Sequence, residues 1–143
     1  MPGILAQDTR SQERRGASST AARRFPAKTL AEIDATKYFY IRAGDDHRVI
    51  GIWVVVVDGR VFVRPWNDKA GGWYRAFLKS RRGAIRLGDR EIPVAARVVR
   101  GKKLLDGMDA AYAAKYTTKP NQKYVKGFAT EKRRATTIEL IPG

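Results

Sequence analysis

The sequence predicts a mainly β, α+β fold: a six-stranded antiparallel barrel with two or three short capping helices. Three observations carry that expectation. Six short segments between Tyr38 and Leu140 are rich in β-branched and aromatic residues. Two connections, Asp58-Gly59 and Gly88-Asp89, are tight-turn dipeptides flanked by apolar runs, which join antiparallel neighbours. Strands do not alternate with long helices, so a doubly wound parallel sheet is not expected.

Residues 1–28 are rich in Arg, Ser, Ala, Gln and Gly and short of large apolar groups. They are expected to form a flexible basic arm. Ordering costs roughly 1–2 kcal/mol per residue, and little apolar surface is there to offset it. The folded domain is expected to span residues 29–143. Thr29-Leu30-Ala31-Glu32 reads as a capping box that opens a short helix. Tyr38–Arg42 has strand composition, and Gly44-Asp45-Asp46 turns the chain. Ile50–Val57 is apolar on both faces, so one central strand covered on both sides is expected. Val61–Arg64 is the next strand, and Pro65 ends it.

After a loop, Trp73, Phe77 and Leu78 recur at helical spacing, and Gly83 is expected to cap that helix. Ala84–Leu87 and Ile92–Val99 make the second hairpin. Asp106–Tyr116 is the strongest helix, with Asp106 as N-cap and Pro120 as its stop. Residues 121–134 read as basic and irregular, and Ala135–Leu140 as the last strand.

Composition narrows the function. The chain of 143 residues has no cysteine and a formal net charge of +15. Thiolate metal sites and disulfides are excluded, and a reducing, cytoplasmic setting is expected. No apolar run approaches a membrane span. Residues 60–103 hold 13 Lys and Arg against Asp68, Asp89 and Glu91, which is +10 of the total. The charge implies an anionic partner, presented with a basic patch, or simply a solubility strategy.

No catalytic or metal-ligating set is readable. His47 is the only histidine and lies in a turn, and the serines cluster in the arm. The informative junction is 64–75, where a strand ends, a Gly-containing loop follows and a helix starts. Arg64, Lys69 and Arg75 supply cations there, Gly72 and the first helical turn supply backbone N–H groups, and Trp66, Trp73 and Tyr74 supply flat rings. That set suits a phosphorylated planar small molecule. Trp73 is expected mainly buried and Trp66 partly exposed. A basic barrel with aromatic faces also suits a nucleic acid, the second choice. A homodimer is left open.

Val61-Phe62-Val63-Arg64, then Gly72-Trp73-Tyr74-Arg75-Ala76-Phe77-Leu78, then Gly83-Ala84-Ile85-Arg86-Leu87-Gly88 resemble the split-barrel flavin- and deazaflavin-binding (nitroreductase-like) superfamily. The run Asp109–Tyr116 and the closing Ala135–Leu140 strand resemble a bacterial domain-of-unknown-function family within it. The resemblance implies a split β-barrel that binds FMN or a deazaflavin. Arg64, Lys69 and the start of the Trp73 helix would grip the cofactor phosphate, and the activity would be oxidoreductase-like. A member that has lost its cofactor is the other reading, because Trp66 stands where the ring would lie.

Overall fold

The computed structural model describes residues 24–143, so most of the expected arm lies outside the described residues. Its last part is not an arm. Phe25 is buried in the core, and the Arg24 guanidinium donates to the Asp58 carbonyl at 2.5 Å. Helix α1 runs Ala27–Ala35, two residues ahead of the expected capping box. Thr29 is a buried residue inside it, not an N-cap, and Glu32 pairs instead with Arg90 at 2.7 Å.

The strands are β1 (Tyr38–Ala43), β2 (Ile50–Trp53), β3 (Val55–Val57), β4 (Arg60–Val63), β5 (Arg82–Leu87), β6 (Arg90–Val98) and β7 (Ile138–Pro142). They form one sheet in the order β2-β1-β5-β6-β7-β4-β3, and every pairing is antiparallel. There are seven strands where six were expected. The extra one arises because Ile50–Val57 is broken at Val54. Its first half pairs with β1 and its second half with β4, so the two halves are the first and last strands of the sheet. Consecutive in the chain, they bring the ends of the sheet together as a nearly closed barrel. The run is therefore not a central strand. The strand covered on both faces is β4: Val61 and Val63 pack into the barrel interior, and Phe62 packs outward under the helices.

Both predicted hairpins form. Asp58 and Gly59 have φ of 53° and 72°, the paired left-handed geometry of a tight hairpin turn. Gly88 at φ 65° turns β5 into β6. Gly83 has a different role from the expected helix cap, which falls to Arg81 at φ 63°. A Cβ on Gly83 would stand 2.0 Å from the Arg42 carbonyl oxygen, so its bare backbone lets β1 and β5 meet above Phe77.

Five α-helices occur among the described residues, more than expected. Besides α1 they are α2 (Trp73–Ser80), α3 (Lys102–Lys115), α4 (Gln122–Phe128) and α5 (Glu131–Arg134), with a 3₁₀ turn at Lys119–Asn121. The stretch 121–134 is thus helical, because Val125 and Phe128 share one apolar face that packs on Phe62, Met108 and Tyr112. Helix α3 begins one turn before Asp106, which pairs with Lys102 at 2.8 Å and Arg134 at 2.9 Å rather than capping. None of the helices among the described residues is long and apolar enough to cross a membrane.

The break at Val54 is held from α3. The Tyr116 hydroxyl accepts the Val54 N–H at 3.0 Å, donates to the Lys37 carbonyl and lies 3.1 Å from the Val54 carbonyl. Lys115 Nζ donates to Val54 O at 2.9 Å and to Ile33 O at 3.1 Å. A strand break inside a core would otherwise leave its N–H and C=O orphaned. One turn earlier, the buried Tyr112 hydroxyl has no hydrogen-bond partner among the described residues. The two tyrosines make a controlled pair. Tyr116→Phe is expected to cost about 1–3 kcal/mol, the penalty for a stranded buried donor. Tyr112→Phe should be neutral or stabilising. Urea midpoints of the two variants check this, and equal losses would contradict the assignment.

Candidate functional site

The cleft of this molecule forms where a hairpin forks. The β3–β4 register pairs Val55 with Phe62 and Val57 with Arg60. Continued one step beyond Val54, it would set Trp53 opposite Arg64. Instead β2 swings away to pair Trp53 with Tyr38 of β1, while Pro65, with no N–H to give, turns the other arm aside. The wedge between the arms is a cleft of about 510 Å³. Ile50, Gly51, Ile52 and Trp53 of β2 form one wall, with Tyr38 beside them. Arg64, Trp66 and Trp73 form the other, and Asn121, Tyr124 and Phe128 close the end.

Each aromatic wall is held in place. Trp53 stacks on Tyr116 with ring centroids 3.8 Å apart and planes within 2°. The Trp66 ring meets Tyr124 and Phe128 edge-on at 5.2 and 5.3 Å. The Arg133 guanidinium lies 3.6 Å over that ring and donates Nε to the Trp66 carbonyl at 2.7 Å. Gly127 allows the close approach, since a Cβ there would stand 2.4 Å from the indole. Trp73 is 8% exposed and Trp66 41%, the division expected from their positions. Trp66 lines the cleft rather than filling it.

The structure brings Trp66 and Trp73 together with Arg64, but not in the expected role. The Arg64 side chain has no exposed surface, so only its backbone reaches the cleft. Its Nε donates to Thr137 Oγ1 at 2.8 Å. One terminal nitrogen donates to Asp109 at 2.6 Å and the Phe128 carbonyl at 2.9 Å. The other reaches the Leu105 carbonyl at 3.3 Å and the Met108 sulfur at 4.0 Å. All five guanidinium donors are thus engaged, and none is left for a phosphate. Lys69, Gly72, Tyr74 and Arg75 do not line the cleft. The Lys69 carbonyl accepts the Gly72 N–H at 3.1 Å to close a turn. Arg75 folds back on the Asp68 carbonyl, and Tyr74 is half-buried with its hydroxyl pushed above the usual tyrosine range by burial. The 64–75 junction is therefore a self-satisfied corner.

Several cations in and near the basic stretch are likewise committed. Arg60 forks onto Glu139 at 3.0 and 2.8 Å, Arg42 onto Glu91, and Arg90 onto Glu32. Of the 13 cations of 60–103, seven form ion pairs among the described residues: Arg60, Arg64, Arg75, Arg82, Arg90, Arg97 and Lys102. His47 ties two loops, with its ring nitrogens 3.1 and 3.0 Å from the Arg48 and Gly71 carbonyl oxygens. Sequence reasoning missed Tyr38, Trp53, Asn121, Tyr124 and Phe128. Trp53, a lone wide ring in a Val/Ile run, was the one local signal.

A mainly antiparallel, nearly closed seven-stranded barrel with short covering helices and one aromatic cleft defines the class. Within it, the chain belongs to the family described as "Uncharacterized protein conserved in bacteria (DUF2255)", whose model matches residues 29–140. No curated protein matches it. Among solved structures it is similar to the crystal structure of conserved hypothetical protein Rv2991 from Mycobacterium tuberculosis. The identity is 14% and the TM-score 0.49, over 90% of this chain and 83% of that one.

Arg64→Ala removes a cation from a buried pair and takes a donor from each of its five acceptors. A loss of about 3–5 kcal/mol is expected in chemical denaturation. A stable, well-folded Arg64→Ala would contradict the buried role. A second expectation concerns pH. Burial pulls Lys115 down to about 8, against the opposing effect of Asp34. Between about pH 8 and 10 the unfolded chain then holds a proton that the folded one has lost, so stability rises with pH. Burial also pushes Tyr116 up to about 12, so above pH 10 the unfolded tyrosine ionises first and stability falls. Urea midpoints from about pH 7 to 11 should trace that maximum, and Lys115→Met should flatten its rising side.

Proposed function

We propose that the chain is a split-barrel binding protein for a planar heteroaromatic small molecule of the flavin or deazaflavin class, its ring held in the aromatic cleft. The observation that carries this reading is the fork itself. Six aromatic side chains, Tyr38, Trp53, Trp66, Trp73, Tyr124 and Phe128, surround about 510 Å³. That volume lies within the roughly 300–1,000 Å³ of small-molecule sites. The donor set fits the ring of such a cofactor and not its phosphate, because the one arginine of the cleft wall is spent inside the protein.

FMN or a deazaflavin would supply hydride chemistry itself, which makes an oxidoreductase-like activity the natural extension. The chain's part is to stack the ring, orient it and exclude water. A nucleic acid is the weaker reading, since about half of the cations of 60–103 are paired with carboxylates.

Tryptophan fluorescence titrated with riboflavin, FMN and a deazaflavin tests the proposal. Quenching with a dissociation constant below roughly 100 μM is expected. Trp66→Ala should weaken binding about two- to tenfold, the scale of one aromatic contact. No binding by any of the three, with tight salt-sensitive binding of a single-stranded oligonucleotide, would hand the site to the nucleic-acid reading.

A further inference from the structure

A second cavity of about 350 Å³ abuts the aromatic cleft, and Asn121 lines both. The partition between them is the Trp53–Tyr116 stack. Trp53 faces the cleft, and Tyr116 lines the second cavity. The two spaces are therefore neighbours, the first aromatic and the second polar. The polar cavity is lined by Lys37, Lys115, Thr117, Thr118 and a single carboxylate, Asp34.

The donors of this cavity are not used up. Lys115 Nζ meets two acceptors among the described residues, Ile33 O and Val54 O, one fewer than its three N–H groups. Among the described residues Lys37 makes no ion pair, and the hydroxyls of Thr117 and Thr118 and the Asn121 amide make no side-chain hydrogen bond. This contrasts with Arg60, Arg64, Arg75 and Arg90, which are turned onto protein acceptors. The frame is nevertheless stiff, because Gln122 Nε2 donates to the carbonyls of Tyr116 and Thr118, both at 3.0 Å.

We propose that this polar cavity takes the anionic, phosphate-bearing tail of the ligand whose ring lies in the aromatic cleft. The inference rests on the ring-binding reading above and moves the phosphate grip from Arg64 and Lys69 to Lys37, Lys115, Thr117 and Thr118. Lys115 and Lys37 supply charge, the two hydroxyls and the Asn121 amide supply directed bonds, and Asp34 opposes the anion. An anion beside Lys115 favours its ammonium form. Binding of a phosphorylated ligand then draws in a proton above about pH 8, where the free amine has lost it. The groups facing Lys115 are Asp34 on α1, Lys37 on the α1–β1 connection and Tyr116 at the end of α3. Of these, Tyr116 titrates only near 12.

The test compares FMN with riboflavin, which lacks the phosphate, by tryptophan quenching on the full chain. FMN is expected to bind roughly tenfold tighter or more at pH 7, and inorganic phosphate should compete with FMN and not with riboflavin. Lys37→Gln should weaken FMN several-fold and Asp34→Asn should tighten it, with riboflavin unmoved by either. Lys115→Gln carries the larger expected loss, but Lys115 also pins the strand break, so the other two variants keep the test independent of folding. Raising the pH from 7 to about 9 should erode the FMN advantage alone. Equal affinity for the two flavins, insensitive to Lys37 and Asp34, would overturn the tail site while leaving the ring site standing. Failure of both flavins to bind would overturn the ring reading and this one with it.

Discussion

The hydrogen bonds that hold Val54 are what the rest of the structure depends on. A run of β-branched residues left to itself would continue as one straight strand. Here the Tyr116 hydroxyl takes the Val54 N–H, and Lys115 takes its carbonyl. With both groups satisfied away from any ladder, the chain can change partners at that residue at little cost. The change makes β2 and β3 the two ends of one sheet and so closes the barrel. It also opens the fork that becomes the cleft. Closure and cleft are two consequences of the same break.

The helical layer that carries Tyr116 is fastened in turn by a charge network. Arg64 leaves the end of β4 and enters the space under α3 and α4, where Asp109, Thr137 and the Phe128 carbonyl receive it. Arg134 closes the other side of Asp109, and the Thr137 hydroxyl donates a hydrogen bond to the Arg134 carbonyl. A guanidinium so buried is costly unless every donor is matched, and here each one is. The chain carries a formal net charge of +15. Many of its cations act as fasteners between strands and helices.

The sequence was most legible where structure is local. The Asp58-Gly59 and Gly88-Asp89 turns, the helix at Trp73 and the exposure ranking of Trp66 and Trp73 all depend on neighbours within a few residues. The Val54 break was not legible, because its partners lie about sixty residues away and nothing in Ile50–Val57 announces them. Arg64 misled for a related reason. A basic residue at a strand end before a Gly-containing loop has the local appearance of an anion site, and only the distant Asp109 and Thr137 show that it is spent. The helices of 121–134 were obscured by their many cations, which hide the short Val125–Phe128 apolar face.

The interior of this nearly closed barrel is occupied by the buried side chains of Phe39, Ile41, Val61, Ile85 and Leu140. The aromatic cleft lies where the ladder opens, and an opened ladder brings an unpaired strand edge with it. Such an edge invites association with other chains unless it is kept short or covered. In this fold β2 is four residues long, Gly51 interrupts its side-chain surface, and Trp66, Tyr124 and Phe128 stand across the wedge. The same rings that keep another strand out make a slot of the right chemistry for a flat molecule. Protection of the edge and the planar-ligand binding proposed above would place the same demand on these positions. The aromatic residues that gather at the fork come from β1, β2, the 64–75 junction and the helices after α3.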